Sequence, residues 1–135
     1  MTSVHLVCPA GLAQEIDARQ HHLTADEPLN AGGTDTGPAP YELLLASLAA
    51  CTSLTLRLYA DRKGWDLGEI RVDARFLRDE DGLERIERQV WLSEPLPQDR
   101  KDRLADICEK TPVTKTLKRS LAISTSLAAG TASGA

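Results

Sequence analysis

From Leu43 to Cys51 the chain carries a single polar residue, Ser47, so a helix here is apolar on every side. The apolar character continues through Leu54, Leu56 and Leu58 and stops at Lys63-Gly64. There a cation in the last turn and a glycine after it give a helix terminus. Pro38 and Pro40 suit the entrance, where a missing N–H costs nothing. One long central helix is therefore expected, entered through the Gly- and Pro-rich loop Glu27 to Pro40. Its wholly apolar section is too short to span a bilayer, so it belongs inside a core or an interface.

On either side the pattern changes. Val4 to Cys8 reads as a short strand ended by Pro9-Ala10-Gly11, and Leu12 to Ala18 with His22 to Asp26 as a hairpin through Arg19-Gln20-His21. After the helix, Ile70, Val72, Ala74 and Phe76 alternate with Arg71, Asp73, Arg75 and Leu77, which is the period of a strand with one apolar face. Asp79-Glu80-Asp81-Gly82 turns the chain, and Ile86, Val90 and Leu92 share one face of a returning strand. Arg88 interrupts that face and either enters a cleft or snorkels to its edge. Pro97 to Lys110 reads as a second helix, with Leu104, Ile107, Cys108 and Thr111 on one stripe. Thr111-Pro112 breaks it, Val113 to Arg119 forms a further short helix, and Leu121 to Leu127 a last strand. The expected fold class is α+β: a two-layer, mostly antiparallel sheet packed on the long central helix.

A sheet covers only one side of a helix that is apolar all round. The expected remedy is a second copy of the chain, giving a symmetric homodimer packed around paired central helices. Each buried leucine contributes roughly 1.5–3 kcal/mol, whereas a surface ion pair contributes about 0–1 kcal/mol. The leucines of this helix therefore outweigh any charge pairing at the surface.

The chain has 135 residues, enough for one domain, expected over 1–128 with 129–135 (GTASGA and the alanine before it) as a flexible tail. A net charge of −4 with no long basic run argues against nucleic acid as a partner. The N-terminus has neither a basic start nor an adequate hydrophobic run for a signal peptide, so no membrane and a cytoplasmic location are expected. Three cysteines, Cys8, Cys51 and Cys108, without a CxxC pair exclude a disulfide scaffold and a four-cysteine zinc site in one chain. His5, His21 and His22 lack metal-site spacing, and neither metal nor cofactor is expected. Thr34 and Asp35, before the helix, read as a loop cap rather than a pocket mouth.

The segment GPAPYELLLASLAACTSLTLRLYADRKGW, followed by the strand pair and by KTPVTKTL, resembles the OsmC/Ohr family of osmotically inducible and organic hydroperoxide resistance proteins. The resemblance implies two interwoven subunits with sites at their interface. It also implies reduction of organic hydroperoxides by a peroxidatic cysteine inside the central helix and a second, resolving cysteine, with a dithiol or thioredoxin as reductant. Cys51 matches the first cysteine, whereas Thr111 stands where the second belongs. Tyr41 occupies the place of the family's catalytic glutamate. The neighbouring Glu42, nine residues before Cys51, falls on the opposite helix face.

A thiolate is the reactive form, and burial opposes it unless a cation or a helix N-terminus is near. Cys51 lies too far along the helix for the dipole, so a cation is required. Arg19, the one arginine in the first fifty residues, is the first choice, and Arg88 of a partner the second. Cys108 is a lesser alternative for the resolving role and otherwise a small apolar residue on the packing stripe. Tyr41 and Arg88 are the expected pocket residues. Two functional classes follow: a cysteine-dependent hydroperoxide reductase using Cys51 and an external thiol, or a catalytically degenerate protein binding a small apolar ligand at the dimer interface.

Overall fold

Helix α1 spans Pro40–Lys63, 24 residues in a computed structural model that describes residues 1–128. At its start the Ala39 N–H donates to Glu42 Oε1 at 2.8 Å, so Glu42 serves the helix end. At its end Gly64 turns left-handed with φ of 71°, and its N–H reaches the carbonyls of Ala60 and Asp61. Before α1 come β1 (His5–Val7), β2 (Gln14–Ala18) and β3 (His21–Ala25), and after it β4 (Ile70–Arg78), β5 (Glu84–Leu92), α2 (Gln98–Cys108) and α3 (Pro112–Lys118).

All strand pairs are antiparallel and fall into two sheets, β1-β2-β3 and β4-β5. The first hairpin closes at Ala18↔His21, with Arg19 at φ 56° in its two-residue turn. The second runs in continuous register from Ile70↔Leu92 to Arg78↔Glu84 and lays its apolar face on α1. Leu56, Ala60, Leu67 and Leu104 are the centre of the core, flanked by Tyr59, Trp65, Ile70, Val90 and Leu92. The fold is thus α+β, with antiparallel strands on a long central helix.

The loop into α1 is organised by one buried carboxylate. Asp26 accepts the Glu27 N–H at 2.7 Å, and both the N–H and the hydroxyl of Thr34 (3.2 and 2.7 Å) and of Thr36 (3.1 and 2.7 Å). These bonds hold its pKa far below the ordinary carboxylate value, the hydroxyls of Thr34 and Thr36 first. Gly37 passes so close to β3 that a Cβ would lie 2.1 Å from the Thr24 carbonyl oxygen. Thr34 therefore works inside the loop.

Three expectations change. By length and composition α1 is long and apolar enough to cross a membrane, because Leu54, Leu56 and Leu58 extend the apolar run with only Arg57 charged among them. Its Leu48, Thr52, Leu56 and Ala60 are instead buried against the rest of the chain. Thr111 does not continue the α2 stripe: α2 ends at Cys108, and Thr111 takes an extended conformation (φ −67°, ψ 149°) as the cap of α3. Pro112 imposes that conformation on the residue before it. The expected last strand over Leu121 to Leu127 does not form among the described residues. Its alternation is present, but no neighbouring edge takes up its N–H and C=O groups, and Leu121, Ile123 and Leu127 are exposed. The tail expected over 129–135 lies outside the described residues.

Candidate functional site

Cys51 sits midway along α1 on the same stripe as Leu54 and Leu58, at i, i+3 and i+7. Those leucines are 64% and 60% exposed, whereas Thr52, one residue from the thiol, is fully buried on the packed side. The thiol therefore lies half-buried at the border between packed and bare helix. Its nearest polar partner is Thr55 Oγ1 at 4.0 Å, on the next turn.

Arg88 reaches this part of α1 through Thr52, the residue after Cys51. It projects from the inner face of β5, and its side chain is only 12% exposed. One guanidinium nitrogen, Nη1, donates to Thr52 Oγ1 and Thr114 Oγ1, each at 2.9 Å, while Nη2 donates to the Cys108 carbonyl at 3.0 Å. The nearest carboxylate is Glu109 at 3.7 Å, which Lys118 holds more tightly at 2.5 Å. One cation thus ties α1, the end of α2 and α3 together through neutral acceptors.

Thr111 and Thr114 complete the network. Thr111 Oγ1 accepts the Thr114 N–H at 3.3 Å, the bond of a helix N-cap, and lies 2.6 Å from Thr114 Oγ1. The Thr114 hydroxyl also donates to the Cys108 carbonyl at 3.2 Å. With Thr114 donating there and accepting from Arg88, the Thr111 hydroxyl supplies the proton between the two threonines. Thr111 is fully buried. It can neither form a disulfide nor reach solvent, and its chemistry here is that of a cap.

Arg19 does not complete the site within one chain. Its exposed guanidinium hydrogen-bonds only to Gln20 Oε1, at 3.5 Å, among the described residues. Cys108 is half-buried, and burial pushes its thiol pKa up, partly offset by Arg88. A raised pKa suppresses the thiolate a resolving cysteine needs. All three cysteines are free thiols, and no cluster of three or more His, Cys, Asp or Glu side chains suited to a metal ion occurs among the described residues.

A cavity of about 570 Å³ opens beside the Arg88 network. Tyr41, Leu44 and Leu48 of α1, Phe76 of β4, Ile86 of β5 and Leu117 of α3 supply its apolar wall, and the rings of Tyr41 and Phe76 stack at 4.6 Å. Glu84, Arg85, Arg88, Glu109, Thr114 and Lys118 supply the polar part. Tyr41 and Arg88 thus share one cavity, while Cys51 is not among its wall residues. What sequence reasoning missed is the threonine set: Thr52 and Thr114 look like ordinary helix positions until Arg88 is placed between them.

A family model described as OsmC-like protein matches residues 33–126. An uncharacterized protein of Haloferax volcanii is 34% identical over 87 residues, 62% of this chain, and the chain spans 66% of that relative's length. Among solved structures, an OsmC like protein from Mycoplasma pneumoniae superposes with a TM-score of 0.70 at 20% identity, covering 87% of each chain. The organic hydroperoxide resistance protein OhrB of Bacillus subtilis superposes with a TM-score of 0.60 at 23% identity, covering 87% of this chain and 90% of that one. At such identities the likeness is one of fold.

Proposed function

The chain belongs to the OsmC-like family, and from that premise we propose that it is a cysteine-dependent organic hydroperoxide reductase, working as a homodimer in the cytoplasm. The observation that carries this reading is the position of Cys51 on the bare stripe of α1 with Leu54 and Leu58. A second copy covering that stripe leaves the thiol in a crevice between two subunits, where an apolar hydroperoxide fits and bulk water does not. The cation that favours the thiolate then comes from the partner, with the exposed Arg19 as the first choice.

In the reaction, the Cys51 thiolate attacks the outer oxygen of the hydroperoxide and the O–O bond breaks. The sulfur becomes a sulfenic acid, and the leaving alkoxide takes a proton and departs as the alcohol. Because Thr111 stands at the resolving position, an external thiol attacks the sulfenic sulfur and releases water. A second thiol frees Cys51 as the reagent disulfide. One hydroperoxide and two thiols give one alcohol, one water and one disulfide.

The test is consumption of cumene hydroperoxide with dithiothreitol, compared between the native protein and Cys51→Ser. Turnover that disappears in the variant, with a single oxygen added to Cys51 in the intact mass before reductant is supplied, is the expected result. Equal consumption by both proteins removes the proposal.

A second reading has its own support. The cavity beside Arg88 is of ligand size and Cys51 is absent from its wall. On this reading the protein binds a small, largely apolar molecule without transforming it.

A further inference from the structure

The Arg88 side chain is nearly buried, yet among the described residues no carboxylate lies within hydrogen-bonding distance of it, Glu109 standing 3.7 Å away. Its hydrogen bonds go to two threonine hydroxyls and one peptide carbonyl, all neutral. Neutral acceptors satisfy N–H groups but do not cancel charge, and a cation removed from water without a counter-ion carries a desolvation cost. Glu109 does not supply the balance, because one carboxylate is divided between Arg88 and the closer Lys118.

The cavity wall carries the same imbalance. Glu84 pairs with Arg78 and Arg85 with Glu87, both partners lying outside the wall, which leaves Arg88 and Lys118 to share Glu109. The remainder is apolar, with the stacked Tyr41 and Phe76 and the aliphatic Leu44 and Leu117. A guanidinium that shares its one nearby carboxylate with a lysine, beside a largely apolar cavity wall, calls for a molecule with an anionic head and a hydrocarbon body.

We propose that this cavity is a binding site for an apolar carboxylic acid, with the carboxylate at Arg88 and the hydrocarbon against Tyr41, Phe76 and Leu117. The carboxylate supplies the charge that the threonines cannot, and Arg88, only 12% exposed at the cavity wall, pairs with it largely out of water. This gives the ligand-binding reading a chemical class and holds whether or not Cys51 reduces peroxide.

The experiment is isothermal titration of the full-length protein at pH 7.5 with decanoate and, separately, decan-1-ol. Decanoate is expected to bind saturably and at least tenfold more tightly than the alcohol of the same chain length. Arg88→Gln is expected to abolish that preference, and Leu117→Trp, which fills the chamber without touching the charge, to weaken decanoate at least tenfold. If Arg88→Gln does not fold, the native protein and Leu117→Trp decide the matter. No saturable decanoate binding, equal affinity for the alcohol, or unchanged binding in Leu117→Trp overturns the proposal. Peroxide turnover does not enter the readout, so failure here is separate from failure of the peroxidase reading.

Discussion

Arg88 Nη1 donates to Thr52 Oγ1 at 2.9 Å, which fastens the second hairpin to the central helix one residue from Cys51. The same nitrogen reaches Thr114 on α3, so the local order around the thiol depends on a cation and two hydroxyls far apart in the chain. Thr52 is doubly engaged, since its hydroxyl also donates to the Leu48 carbonyl at 2.7 Å.

Disrupting this network is expected to destabilise the protein in a graded way. Thr114→Val leaves buried donors without an acceptor, at about 1–3 kcal/mol. Thr111→Ala removes the α3 cap at about 0.5–2 kcal/mol, and Thr111→Ser restores most of it. Urea unfolding checks both. A Thr111→Ala protein as stable as the native one contradicts the capping role.

Asp26 predicts an acid-sensitive entry loop. Its folded pKa is depressed, so its contribution is full above the unfolded carboxylate pKa of about 3.9 and is lost as pH falls toward the folded value. Asp26→Asn is expected to lower stability at pH 7 and to flatten the fall in stability below about pH 4. Denaturant midpoints followed from pH 6 to pH 2 read this directly, and parallel curves for the two proteins contradict it.

His22 has the opposite sign. Its ring nitrogens lie 2.7 Å from Asp17 Oδ1 and 2.6 Å from Glu15 Oε2, and these hydrogen bonds, Asp17 first, raise its pKa above the ordinary 6.5. The stabilisation is complete below the unfolded pKa and is lost as pH rises through the folded one. An NMR titration should place His22 above 6.5, and Asp17→Asn should bring it down. A His22 shift that ignores Asp17→Asn removes this account.

In the proposed homodimer a second copy covers the bare stripe of α1 beside the half-buried thiol. Leu54→Asp with Leu58→Asp is expected to leave the helix content intact, because both side chains point away from the chain's own core. It is expected to convert a dimer into a monomer by light scattering and to remove peroxide consumption. A native protein that is already monomeric in solution contradicts the shared crevice.

The amino-acid sequence by itself determined the elements whose information is local. The apolar run ending at Lys63-Gly64, the alternation from Ile70 to Phe76 and the acidic turn before Leu83 each name their own conformation. The motif around Cys51 also marked the family. Tertiary structure decided what local periodicity does not encode. Arg88 finds its acceptors 36 and 26 residues away, so a charged residue breaking an apolar pattern reads as an anomaly until those threonines stand beside it. Leu121 to Leu127 has the alternation of a strand but no neighbouring edge among the described residues, and strand formation needs a partner for its backbone, whereas a helix satisfies its own.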